Sequence, residues 1–290
     1  MFAIETPWNT ARYIPKLRTA SVQVVIRYYT SSVSSHLPEK RLGRDEAQAL
    51  SAAGFKLGAV FQLFGRNRAS FSKSIGQQQG EYAQEYASNT ILQPDGSAIY
   101  FGVDYDASDS DIRDAILPYF EGVAESFADA PNGVRYDIGV YGSWKVCERC
   151  VAAGNVSFAW LAQARAWGGR QGYNKYAESR KWNLKQGFPS IDLGGLDYDP
   201  NESNDDKGPF GQFQVAVTGP VTPSGTRFIV IARPNLRLRS GPGLNFDIIG
   251  SVAFGIEVTV AQRDGDWAFV DINGDGGIDG AVHAGFLKPA

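Results

Sequence analysis

The chain has 290 residues, 43% of them hydrophobic and 20% charged, which suffices for the core of one large or two modest domains and excludes general disorder. Its formal charge of −3, with no cluster of lysines and arginines interleaved with aromatics, offers no basic footprint for nucleic acid. No apolar run approaches the ~20 residues needed to span a bilayer, and the opening "MFAIETPWNT" has no basic segment, long apolar segment or cleavage site of a signal peptide.

In chain order, eight stretches read as strands: "FAIET" (2–6), "VQVVIRYYT" (22–30), "KLGAVFQLF" (56–64), "SAIYFGVDYD" (97–106), "YDIGVYGSW" (136–144), "FAWLAQA" (158–164), "KWNLKQG" (181–187) and "SIDLGGLD" (190–197). Helical stretches separate most of them, including "GRDEAQALSAAG", "GQQQGEYAQEYASNT" and "SDSDIRDAILPYFEGVAESFA", the last opened by Ser and Asp residues suited to cap a helix N-terminus. Such alternation predicts an α/β protein with a parallel sheet, most simply a closed (β/α)8 barrel of the TIM type. An open doubly wound sheet is the alternative. No glycine-rich phosphate loop follows any strand to support it, and "WGGRQGYNKY" (167–176) reads as a loop.

The fourth strand closes on "VDYD". Residues two apart on a strand share a face, so Asp104 and Asp106 are expected to lie together and to disfavour one another's charge. In a barrel of this kind active groups gather at the C-terminal ends of the strands, where Glu5 ends the first and Asp192 lies on the eighth, with Asp197 beside it. Tyr28, Tyr29, Gln62, Tyr141, Trp144 and Gln186 fall near the same rim. Aromatic faces beside carboxylates and amides suit a sugar. Asp109 and Asp111 read instead as solvated or helix-capping acids. Cys147 and Cys150 are the only cysteines and there are two histidines, so a zinc site lacks its second ligand pair; the cysteines read as small residues on a helix face rather than a redox couple.

Between Val215 and Arg227 the text "VAVTGPVTPSGTR" reads as a linker, giving a front domain over 1–217, a linker over 218–226 and a small all-β unit over 227–290. Trp267 and Phe286 read as core there, because a barrel this small must bury most of its large side chains. "DINGDGGID" (271–279) matches the first nine positions of an EF-hand calcium loop. Position twelve is Val282 rather than the bidentate glutamate, so a polar hairpin without metal is the expectation.

The front domain resembles the glycoside-hydrolase-like barrel domains of bacteria, distant relatives of the family-25 lysozymes. The likeness rests on "AIETPWN", "VIRYYT", "VDYD", "GVYGSW" and "IDLGGLD", in that order, over roughly the first 215 residues. It implies a glycoside hydrolase acting on peptidoglycan or a related glycan, without metal or organic cofactor. Asp106 would be the proton donor to the glycosidic oxygen, with Asp104, Glu5 and Asp192 steadying the developing positive charge or orienting a neighbouring group. The lysozymes carry Asp-x-Glu on strand four and Asp on strand one, whereas Asp-x-Asp and Glu5 stand here, so a glycan-binding protein with weak or no activity is the alternative. "NLRLRSGPGLNFDIIGSVAFG" and "GAVHAGFLKP" resemble bacterial SH3-type domains, with Gly280-Ala281-Val282 where Gly-Trp-Val is usual. The two resemblances together imply a wall-directed protein, secreted or delivered to the cell envelope or periplasm without a visible signal peptide. Secretion machinery or an immunity protein would be further partners of a delivered toxin.

Overall fold

The computed structural model describes residues 1–63, 65–130, 133–216, 226–239, 241–244, 246, 248–272 and 279–290. The chain divides into two compact units, Met1–Val217 and Thr218–Ala290.

In the first unit seven strands run parallel and pair in sequence order: β1 (Phe2–Glu5), β2 (Val24–Tyr29), β3 (Lys56–Phe61), β4 (Ala98–Gly102), β5 (Asp137–Gly142), β6 (Phe158–Leu161) and β7 (Leu184–Gln186). A hairpin of β8 (Ile191–Asp192) and β9 (Asp197–Ser203) follows, and β9 closes the barrel by pairing antiparallel with both β7 and β1. The closed eight-stave TIM-type barrel is therefore as expected, but its last stave is "DYDPNES" rather than "SIDLGGLD". That stave carries no apolar run because hydrogen bonds recruit it. Its main chain completes two ladders, and the buried Asn201 accepts from the Trp160 indole at 2.8 Å.

Helices α1 (Ile14–Thr19), α2 (Arg44–Ala52), α3 (Lys73–Glu85), α4 (Asp109–Asp111), α5 (Leu117–Ala128), α6 (Trp144–Ala152) and α7 (Arg170–Glu178) fill the connections. Ser108 and Asp111 form a capping box at α4, the role expected of these residues. One apolar layer, including Val25, Tyr29, Phe61, Phe101 and Leu161, lies between staves and helices. A second fills the barrel with Val24, Ile26, Val60, Tyr100, Trp160 and Leu184, and is closed at the base by Phe210, whose carbonyl accepts from the Tyr100 hydroxyl at 2.9 Å. Cys147 and Cys150 sit unbridged in the outer layer, where burial pushes the Cys147 thiol up to about 12 and the Cys150 thiol well up too. Neither is poised to react.

The second unit is all-β: β10 (Thr226–Val230), β11 (Asn235–Arg239), β12 (Ile248–Ala253), β13 (Glu257–Asp264), β14 (Trp267–Asp271), β15 (Gly280–His283) and β16 (Leu287–Pro289) form one antiparallel sheet in the order β12-β11-β15-β14-β13-β10-β16. Its core is aliphatic, with Val230, Leu236, Val258, Val270 and Val282 at its centre. Trp267 and Phe286 lie outside that core, contrary to expectation. Small residues, including the fully buried Ala281, occupy the interior, while Phe286 is 47% exposed and packs edge-on against His283, which in turn packs against Trp267. The calcium-loop pattern falls largely on 273–278, outside the described residues. Among the described residues no helix is long and apolar enough to cross a membrane.

Candidate active site

At the C-terminal ends of the parallel strands lies a cavity of about 350 Å³, and the alternation of side chains along each strand selects what lines it. On β2, Tyr28 points inward. Its neighbours Arg27 and Tyr29 face the helix layer, where Arg27 Nε lies 2.8 Å from Glu46 and the Tyr29 hydroxyl donates to Gln93 at 2.7 Å. Tyr29 is thus a core residue and not a rim residue. Arg27 also donates to the carbonyls of Thr6 at 2.7 Å and Glu39 at 2.6 Å, which anchors the loop carrying Lys40.

The Lys40 ammonium lies 4.4 Å from the centre of the Tyr28 ring and donates to Gln62 Oε1 at 3.0 Å. Gln62, one residue beyond β3, donates in turn to Asp104 Oδ2 at 3.3 Å. Burial lowers the pKa of Lys40, against the pull of Glu5 and Asp104. Burial raises that of Asp104, against Arg66, Gln62 and Lys40. The Asp104 amide donates to Gly65 O at 2.7 Å, and Gly65 has φ +75° with no room for a Cβ, which would fall 2.7 Å from Gly102 O. A glycine is required at that crossing.

Glu5 is buried at the end of β1 and stands opposite Asp199 of β9 in the ladder. The Tyr28 hydroxyl donates to Glu5 Oε1, while Gln186 Nε2 donates to Glu5 Oε2 at 3.4 Å and to Asp199 Oδ2 at 2.9 Å. Tyr141 fixes that amide by donating to Gln186 Oε1 at 2.9 Å, and its ring meets Trp160 edge-on at 4.9 Å. Burial drives the Glu5 carboxyl up to about 7; the Tyr28 hydrogen bond opposes this, the Asp199 charge adds to it, and Lys40 and Arg27 oppose it. A carboxyl near neutrality can exchange a proton with a ligand.

Of the residues singled out from the sequence, Glu5, Asp104, Tyr28, Gln62, Tyr141 and Gln186 line this cavity, and Asp106, Trp144 and Asp192 do not. The fourth strand ends at Gly102, so the two-residue alternation does not carry through to Asp106. Asp106 Oδ1 accepts the Gly168 N–H at 2.8 Å while the Trp144 indole donates to the Gly168 carbonyl at 3.1 Å, so the two grip one residue of the loop after β6. Asp192 accepts the amides of Gly194 at 2.8 Å and Gly195 at 3.0 Å and shapes the β8–β9 turn. Asp199, Lys40, Gln163, Trp160 and Arg66 line the cavity without having been singled out. A second "DYD" at 197–199 was the available signal for Asp199; Lys40 lies in the aperiodic "SSVSSHLPEKRLG", which offered none.

Residues 15–204, more than half the chain, match the family described as Rv2525c-like, glycoside hydrolase-like domain. The chain belongs to that family. Residues 234–288 match the bacterial SH3 domain. The Rv2525c-like chain is 33% identical over 173 residues to the uncharacterized protein YbfG of Bacillus subtilis, covering 57% of this chain and 23% of that protein. It is 30% identical over 131 residues to FadG of the same organism, covering 45% of this chain and 22% of that protein. The matched region thus spans less than a quarter of either relative. Among solved structures, the Tat-secreted Rv2525c of Mycobacterium tuberculosis superposes with a TM-score of 0.58 at 22% identity, over 73% of this chain and 98% of that one. An uncharacterized B. stearothermophilus protein gives 0.51 at 15%, over 71% and 97%. These two likenesses establish the fold.

Proposed function

We propose that the barrel cleaves a glycan of the bacterial cell wall, most simply peptidoglycan, with Glu5 protonating the glycosidic oxygen. The observation that carries this reading is a buried carboxyl raised to about 7 in a cavity that also presents Asp104 and Asp199. Glycoside hydrolysis asks for one carboxyl held protonated near neutrality and a second that meets the cationic sugar. Glu5 takes the part that the lysozyme resemblance gives to Asp106, because burial raises both Glu5 and Asp104 but Glu5 is the more deeply buried and is driven up to about 7. Asp199 sustains that affinity, and Asp104 faces the sugar. Tyr141 and Gln186 keep the Glu5 and Asp199 pair in register. The match of the second unit to a bacterial SH3 domain supports a wall-directed role and a place at the envelope.

Incubation of the full chain with purified peptidoglycan tests this reading: release of reducing ends is expected, falling about 10²- to 10⁴-fold in Glu5→Gln. No release by the wild type, or equal release by the variant, overturns it. A second reading, sugar binding without turnover, is favoured by one contact pattern: Tyr28 and Gln186 already donate to both oxygens of Glu5. Binding with no new reducing ends decides for that reading.

A further inference from the structure

A second cavity, also of about 350 Å³, adjoins the first and shares two of its lining residues, Gln163 and Gln186. Both volumes fall within the ~300–1,000 Å³ of small-molecule sites. The shared amides form the wall between the two, and Gln186 Oε1 accepts the Gln163 N–H at 3.3 Å as well as the Tyr141 hydroxyl. A polymer threading the mouth therefore meets the acid pair and this cavity in succession.

The chemistry of the second cavity differs from that of the first. Phe188 lies beside it with 75% of its surface exposed, so its ring is open to a ligand in the cavity. Two cations line it. Lys185 is held by Glu202 at 2.6 Å, whereas Arg165 is exposed and makes no ion pair with any described residue. Glu178 also lines the cavity, without an ion pair to Arg165. An apolar face beside a free guanidinium matches a sugar ring that carries a carboxylate: the ring stacks on Phe188 and the carboxylate meets the planar fork of Arg165.

We infer that this cavity is a second subsite of the same cleft, selective for a sugar whose carboxylate is free, such as a muramic acid that carries no peptide, with Phe188 as platform and Arg165 as the charge that discriminates. The inference rests on reading the barrel mouth as a glycan cleft, but it is tested by binding and not by turnover. The probe is the disaccharide of N-acetylglucosamine and N-acetylmuramic acid, compared by calorimetry on the full chain with the same disaccharide whose carboxyl has been amidated. The wild type is expected to bind the acid form about fivefold more tightly than the amide, a ratio that Arg165→Ala abolishes. Glu178→Gln is expected to widen that ratio, and Phe188→Ala to weaken both forms alike. All three side chains reach the cavity surface, and melting curves of the variants check that the fold persists. An unchanged ratio in Arg165→Ala, or no binding of either form by the wild type, overturns the subsite. Discrimination without release of reducing ends upholds the subsite and sinks only the cleavage reading; release without discrimination does the reverse.

Discussion

The tripeptide Asp-Tyr-Asp occurs twice in the barrel, at 104–106 after β4 and at 197–199 in β9, and the two copies send opposite ends to the cavity. In the first copy Asp104 lines the mouth and Asp106 turns away to the Gly168 amide. In the second Asp199 lines the mouth and Asp197 is exposed. Strand direction accounts for the reversal. A parallel stave reaches the mouth with its C-terminal end, so its earlier residues lie deeper; β9 runs antiparallel and enters from the mouth, so its later residues lie deeper. The same three letters therefore specify an inner acid only once the direction of the chain is known.

The sharpest way to break that comparison is to remove the inner and outer acids of the first copy separately. Asp104→Asn is expected to reduce glycan cleavage about 100-fold, because it withdraws a charge facing the sugar, and Asp106→Asn by less than about threefold, because that side chain holds a loop. Equal losses in the reducing-end assay would show that both acids act at the bond.

Next in size is a pH effect on stability that needs no substrate. The Glu5 carboxyl has an ordinary value of 4.5 unfolded and about 7 folded, so the folded state holds the proton more tightly. Stability is then lost as pH rises from about 4.5 through about 7, to a total on the order of 3 kcal/mol. Glu5→Gln removes that dependence, so chemical denaturation at pH 4 and pH 8 should show the variant gaining on the wild type at the higher pH. A gap that does not change with pH would mean that Glu5 ionises normally in the fold.

The smallest expected effect concerns the second copy. Asp199→Asn should cut activity about tenfold and shift the alkaline limb of the pH–rate profile to lower pH, since the Asp199 charge helps to raise Glu5. Asp197→Asn should leave that limb in place. A limb that moves with the outer acid, or stays put with the inner one, would reverse the assignment of depth.

Much of the fold was legible because burial leaves a periodic trace. The apolar runs of β1 to β6 are staves of the inner and outer layers, and their alternation with helical stretches suffices for a parallel barrel. "DYDPNES" left no such trace, since β9 buries a single aromatic, Tyr198, and is otherwise held by ladder hydrogen bonds and an Asn–Trp contact. At the site, Glu5, Asp104, Tyr28, Gln62, Tyr141 and Gln186 were readable from their places at strand ends, where backbone direction alone sends them to the mouth. Asp106 and Trp144 lie off that lining because a chain that has left its strand no longer alternates. Both found their partner in Gly168, which is distant in sequence.

The amino-acid order was thus enough to indicate a barrel followed by a small all-β unit, with acids and amides at the strand ends, because these follow from local periodicity. Which acid is buried, which one loses water and so keeps its proton, and which two face each other through Gln186 were decided in three dimensions. Desolvation and the antiparallel closing strand depend on neighbours contributed by segments nearly two hundred residues apart, and no local pattern encodes them.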